Sequence, residues 1–220
     1  MTDFDWSGAE QEFRRALALA PNDPQAKAYL ARILATRGQL AESNKRYREA
    51  LADDPLRASW LNLLAQGQAG AGELDDAERS LKRGLALAPS GEAFHEELAT
   101  IYILRGDAKA AMDEALKEPP GSWRDYAITL AFQIGGDRKA ADTALKDLIV
   151  KFSELGAYQI AEVYAVRRDA DKMFEWLERA RVQSDSGLEA LLSDPLILPF
   201  RHDPRFAKLC AELKLPVPKD

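Results

Sequence analysis

The sequence predicts an all-α solenoid, a stack of helix pairs, because one set of residues recurs at a fixed interval and no segment alternates like a strand. Prolines and glycines repeat every 34 residues, at Pro21, Pro55 and Pro89 and at Gly38, Gly72 and Gly106. A period of this length is typical of units that bury their apolar faces only on one another. The repeat therefore favours a binding surface over a catalytic pocket.

Each unit of 34 residues is predicted to contain two helices. Apolar residues recur at helical spacing in each segment, glycine ends the first helix of a pair, and proline ends the second. The predicted helices of the regular units are Pro24–Arg37, Leu40–Asp53, Ala58–Ala71, Leu74–Ala88 and Gly91–Arg105. The second helix of the third unit is expected to stop early, at Pro119 and Pro120.

Beyond this break the interval changes but the pattern continues. Gly106, Gly136 and Arg168 are each followed by aspartate, which predicts three equivalent turns. Two further helix pairs are expected, over Ser122–Phe152 and Glu154–Val182. The predicted organisation is a partial first repeat (1–21), three regular units (22–117), two divergent units (118–183) and a C-terminal cap with its tail (184–220).

Small residues mark the positions where paired helices cross closely, since close packing alternates large and small side chains. These positions are Ala31, Ala65, Ala99 and Ala161 in first helices and Ala9, Ser43, Ala77 and Ala111 in second helices. With the Gly-Asp turn and the closing proline, the columns resemble the tetratricopeptide repeat (TPR) family over about Trp6 to Val182. The resemblance implies a right-handed superhelix whose concave face binds a peptide or a helix of a partner.

The two ends of the array differ. Trp6–Ala20 matches a second helix with no first helix before it, which leaves two explanations open: the chain is a fragment of a longer polypeptide, or this edge pairs with another protomer. For self-association the candidate residues are Phe4, Trp6 and Phe13.

At the other end, a short helix is expected over Ser186–Leu192 and a capping helix over Arg205–Leu213, with Asp203 as N-cap and Pro204 at the first helical position. This helix is expected to cover the exposed seam of the last repeat. The segment from Asp194 to Pro216 resembles the tail of bacterial multidomain TPR regulatory proteins, in which the array follows a nucleotide-cyclase or a winged-helix domain.

Composition and residue types argue against catalysis. The formal net charge is −6, which does not suit a direct nucleic-acid binder, and the chain has one cysteine and two histidines. The acidic N-terminus does not resemble a secretory signal, and no apolar run is long enough to span a membrane. His95 and His202 are too few for a usual metal site, and Cys210 is expected to be buried. We therefore expect a cytoplasmic, non-enzymatic protein without cofactor or metal.

The predicted function is a protein-interaction scaffold that binds a peptide or helix in its concave groove. Helical phase selects seven groove residues: Arg32, Asn62, Gln66, Glu96, Trp123, Tyr126 and Tyr158. Aromatic residues are favoured at binding hot spots, so replacing Tyr126 and Tyr158 with alanine is expected to abolish binding without unfolding the array. The alternative is a regulatory or dimerisation module of a larger bacterial signalling protein, acting through the N-terminal edge.

Overall fold

The structure is a computed structural model, which describes residues 5–217. Over this range the chain forms α-helices and two short 3-10 helices, and no strand. In chain order, the helices up to residue 104 are α1 (Trp6–Leu19), α2 (Pro24–Thr36), α3 (Leu40–Asp53), α4 (Ala58–Gly70), α5 (Leu74–Leu87) and α6 (Phe94–Leu104). They are followed by α7 (Ala108–Ala115), α8 (Ser122–Ile134), α9 (Arg138–Phe152), α10 (Ala157–Val166), α11 (Ala170–Gln183) and, after the 3-10 helices Ser186–Ala190 and Leu198–Phe200, α12 (Pro204–Glu212).

The helices belong to two compact units. The first unit combines residues 1–89 with the C-terminal residues 189–220, and the second comprises residues 90–188. In the first unit α2 pairs with α3 and α4 with α5, while α1 packs on α2. In the second unit the pairs are α6 with α7, α8 with α9 and α10 with α11. Both units are therefore stacks of antiparallel helix pairs, as the periodicity predicts.

The turns within the pairs have one conformation. Gly38, Gly72, Gly106 and Gly136 all have φ between 73° and 86°, and Arg168 has φ 60° at the equivalent turn. Glycine adopts this left-handed region without the penalty that a Cβ atom brings. The predicted equivalence of the later turns is confirmed, because the aspartate after each one caps the next helix through its side chain.

The helix crossings explain the small residues. Ala31, Ala65, Ala99 and Ala161 are buried where the helices of each pair approach. Ser43 is the one polar residue in the matching column of the second helices, and its hydroxyl donates to the Ala31 carbonyl at 2.8 Å. This hydrogen bond joins α3 to α2 and satisfies a hydroxyl that would otherwise be buried at a cost.

The third pair is shorter than the others. Helix α7 has 8 residues, against 14 in α3, α5 and α11. The chain after α7 folds Glu118 into the protein, where its carboxylate accepts the backbone N–H groups of Ala93 (2.7 Å), His95 (3.0 Å) and Glu96 (3.0 Å). Helix α6 begins at Phe94, later than the sequence predicts, because Ala93 adopts φ 66°.

Replacing Glu118 with alanine should lower the free energy of unfolding by about 2 kcal/mol, since buried N–H groups lose a charged acceptor. Denaturant unfolding measures the change, and hydrogen exchange of residues 93–96 should accelerate. Lys117→Ala is the matched control, because the Lys117 side chain is exposed and pairs with Glu114 on the surface. Equal exchange in both variants would contradict this capping role.

Candidate functional site

The predicted groove residues of the first unit lie on α2 and α4. Gln66 donates from Nε2 to Asn62 Oδ1 at 2.9 Å, so the two amides bond along one face of α4. On α2, the Arg32 guanidinium binds Glu189 Oε2, at 3.1 Å from Nε and 2.5 Å from Nη2. The sequence did not indicate Glu189, which follows Arg32 by 157 residues. A segment of the same chain thus contacts the predicted groove.

The backbone of this segment lies against two glycines of the first unit. A Cβ atom on Gly70, the last residue of α4, would lie 2.0 Å from the Ser193 carbonyl oxygen. A Cβ atom on Gly38 would lie 3.3 Å from Leu192 Cβ. We call Arg32, Gly38 and Gly70 the tail-contact surface and residues 189–193 the tail segment.

Apolar burial holds the tail segment more strongly than its ion pair does. The side chains of Arg32 and Glu189 are 54% and 35% exposed, and an ion pair of this kind contributes about 0–1 kcal/mol. Leu191 and Leu192 are buried, as is Ile197 a few residues later. Burying each such side chain contributes about 1.5–3 kcal/mol. The ion pair therefore sets the register of the segment, and the leucines anchor it.

The C-terminal helix groups with the first unit, and its predicted place on the seam of the last repeat stays a prediction. Helix α12 has the expected cap, since the Asp203 side chain accepts the Arg205 N–H. At its end, the Leu213 carbonyl accepts the Trp6 indole N–H at 3.0 Å. No local periodicity predicts a contact over 207 residues, so the sequence analysis could not place this helix.

Two of the three residues predicted for self-association, Trp6 and Phe13, contact their own chain. Trp6 makes the hydrogen bond to Leu213, and the Phe13 ring stacks on Tyr29 with centroids 5.3 Å apart. Phe4 lies outside the described residues. Both described side chains are half-buried, and a role in dimerisation stays a prediction.

In the second unit, the predicted aromatic residues Trp123 and Tyr126 line an apolar pocket of about 220 Å³. Trp123 is 38% exposed and meets the Tyr126 ring edge-to-face, with centroids 6.4 Å apart. Phe152 from the end of α9 and Leu155 from the following turn complete the apolar wall. Leu155 is 86% exposed. We call this pocket, together with the exposed side chains of Trp123 and Leu155, the Trp123 pocket.

Three of the predicted groove residues are inside the second unit. Tyr126, Tyr158 and Glu96 are 4%, 2% and 4% exposed. The Tyr158 ring lies under Gly187, where a Cβ atom would come within 2.6 Å of it. The Glu96 carboxylate accepts the Thr100 hydroxyl at 3.2 Å. A binding role for these side chains stays a prediction, but none of them offers the exposed surface that helical phase implied.

The second unit has another cavity, which the sequence did not indicate. A cleft of about 500 Å³ runs between α8 and α9. Ile128, Phe132 and Leu148 contribute apolar lining, and the pair of Asp125 and Lys151 (2.8 Å) lies along its rim. The sequence contains part of the information needed to predict this cleft, since the α9 residues that line it recur at helical spacing. The width of the cleft depends on how α8 and α9 pack, which helical spacing does not give.

The groups with reactive chemistry are scattered. Cys210 is buried as predicted, and burial raises the pKa of its thiol to about 11, which disfavours the nucleophilic thiolate. His95 Nδ1 is 2.7 Å from Glu114 Oε2 in a half-buried pair. Among residues 5–217, no three potential metal ligands come together. The helices over the same range include none with the length and hydropathy that crossing a bilayer requires.

This architecture defines a class, the α-solenoids built from helix pairs. A family model described as tetratricopeptide repeat matches residues 1–67, and solved TPR proteins share the fold. Residues 1–67 therefore match the tetratricopeptide repeat family, and the similarity of the chain to solved TPR proteins is one of fold. No curated protein sequence matches the chain.

Three solved structures illustrate the similarity of fold. A tetratricopeptide repeat protein from Parabacteroides merdae has a TM-score of 0.58 at 17% identity, with 96% of this chain and 86% of that chain covered. YrrB, described as a TPR protein with an unusual peptide-binding site, has a TM-score of 0.52 at 16% identity, with 82% and 97% covered. The human IFIT1 dimer with PPP-AAAA has a TM-score of 0.53 at 14% identity, with 96% and 56% covered.

Replacing Tyr158 with alanine should lower the free energy of unfolding by about 3 kcal/mol, as expected for removing a large buried ring. Trp123→Ala should cost less than about 1 kcal/mol, because that ring is partly exposed already. Denaturant unfolding of both variants tests the difference. Equal costs would show that Tyr158 is not part of the core in solution.

Replacing Gly70 with alanine should also destabilise the protein, by about 2 kcal/mol net. Alanine normally gains about 1 kcal/mol over glycine inside a helix, but here its Cβ atom would overlap the Ser193 carbonyl. The matched variant is Gly72→Ala, where the added Cβ meets nothing within 4 Å and only the φ of 80° is unfavourable. A stabilised Gly70→Ala protein, measured by chemical denaturation, would contradict the close contact.

Proposed function

We propose that this protein is a non-catalytic interaction scaffold and that a partner peptide or helix binds the Trp123 pocket of the second unit. The observation that carries the proposal is the pocket itself, where an exposed tryptophan borders an apolar cavity of about 220 Å³. Drug-sized ligands occupy pockets of about 300–1,000 Å³, so this one suits a single apolar side chain of a larger partner.

Binding by one anchor residue agrees with the physical chemistry of the pocket. Tryptophan offers a large rigid face, and interface hot spots are enriched in it. Leu155, which is nearly fully exposed, would lose its contact with water when a partner covers it. Gln159 also lines the pocket and supplies a hydrogen-bonding group. The partner expected is therefore a segment with one large apolar residue flanked by polar ones.

Other parts of the proposal have indirect support. The net charge of −6 favours a protein or peptide over nucleic acid as the partner. A single, buried cysteine is consistent with a reducing, cytoplasmic setting. The tail resembles those of bacterial regulatory proteins, so the proposed setting is a bacterial signalling protein.

A random-peptide phage library selected on the folded protein tests the pocket. Selected peptides should share an apolar anchor, and Trp123→Ala should weaken their binding at least tenfold, as for a hot-spot residue. Val150→Ala is the control, because Val150 is an exposed apolar residue of α9 that does not line the pocket.

Calorimetry or fluorescence polarisation with the selected peptides gives the affinities. Peptides that bind the wild type and Trp123→Ala equally well would place the binding surface elsewhere. Failure to select any peptide with an apolar anchor would also count against the proposal.

A further inference from the structure

We propose that the tail-contact surface of the first unit is a second peptide-binding site, and that the tail segment occupies it as an internal ligand. The partner that fits this surface is a peptide with a carboxylate three residues before a leucine, the spacing of Glu189 and Leu192. This inference goes beyond the proposed function, which concerns a different surface in the second unit. It rests on three contacts within the first unit.

The first contact depends on the glycine at position 70. Gly70 is the last residue of α4, and glycine at this position leaves the space of a Cβ atom empty. One repeat earlier the same position is Thr36, and one repeat later it is Leu104, so the other pairs carry a side chain there. At Gly70 the missing side chain makes room for the Ser193 carbonyl. The helix is thus locally adapted to the backbone of another segment.

The other two contacts recognise side chains. Leu192 is buried against the turn at Gly38, and Glu189 binds Arg32 at the edge of the same surface. An accessible charge pair contributes mainly to orientation and specificity, whereas a buried leucine contributes affinity. Together these contacts recognise a short motif, in which a carboxylate is followed by two residues and a leucine. The backbone after the leucine packs closely against α4.

Occupation by the tail segment has a consequence for binding. Because the segment is part of the same chain, it competes at the high effective concentration of a tethered ligand. An external peptide with the same motif binds only the fraction of molecules in which the segment has left the surface. Affinity for a partner is therefore low in the resting protein and rises when the segment is released.

The test uses the full chain and a fluorescent synthetic peptide with the sequence of Leu188–Ile197. Leu192→Asp places a charge on the buried side of the tail segment and leaves the tail-contact surface intact. The peptide should bind this variant at least tenfold more tightly than the wild type. Adding Arg32→Glu should weaken this binding about fivefold, and a peptide with arginine at the position of Glu189 should restore it.

Cys210 gives a second readout that does not use the peptide, because its thiol is fully buried and lies on α12, which belongs to the same unit as the tail segment. Its reaction with a thiol reagent should be at least tenfold faster in Leu192→Asp than in the wild type. Far-UV circular dichroism checks that the helices are retained. If Leu192→Asp loses helical signal, Glu189→Arg replaces it, with an expected increase of about threefold in both readouts.

Equal peptide affinity for the wild type and the folded tail variant would overturn the proposal, as would binding that ignores Arg32→Glu. Trp123→Ala should leave binding of this peptide unchanged. A negative result here and a positive one at the Trp123 pocket would therefore reject only the internal ligand, and the reverse pattern would reject only the Trp123 pocket.

Discussion

Burial of apolar faces between successive helix pairs is the constraint on which the structure depends. A helix pair in a solenoid has no closed core of its own, so its stability comes from the pair beside it. This requirement explains the alanines at the crossings, where a larger side chain would separate the helices. It also explains why Ser43 keeps a polar group there only by donating to the Ala31 carbonyl. Because each helix pair packs in the same way, the residues at these contacts recur at a regular interval in the sequence.

The same constraint makes helix α1 informative. None of its residues is fully buried, in contrast to every other α-helix in the described range. It packs on α2, its Arg14 pairs with Glu42 of α3, and its Trp6 donates to the Leu213 carbonyl at the end of α12. The C-terminal residues therefore contribute to the first unit in a way that a linear array of repeats does not imply. The chain returns to its beginning and supplies contacts there.

Local features of the fold could be predicted from the sequence, and long-range ones could not. Helix α3 has the predicted bounds, Leu40–Asp53, because glycine and proline define its ends. Tyr158 was placed in an open groove because helical phase does not contain Gly187, which covers its ring from 29 positions further along. The contacts of Glu189 and Leu213 with the first repeats have no period and no local signal.

Glycine shows the limit of sequence interpretation most directly. Gly70 and Gly72 are two positions apart, and only Gly72 recurs at the interval of 34 residues. Gly72 is indeed a turn glycine, with φ 80° and open space around its Cα. Gly70 is the last residue of α4, and the Ser193 carbonyl oxygen lies 2.0 Å from where its Cβ atom would be. Glycine thus permits a turn conformation at position 72 and a close contact between two backbone segments of the chain at position 70.

The two candidate surfaces differ in the free energy available to a partner. The Trp123 pocket already exposes apolar area to water, so a partner that covers it gains the hydrophobic contribution of both sides. At the tail-contact surface, Leu192 already provides that contribution within the chain. A partner there gains only the difference between its own contacts and those of the tail segment. Selectivity at the Trp123 pocket would therefore follow from the shape of the pocket. At the tail-contact surface it would follow from competition between the partner and the tail segment.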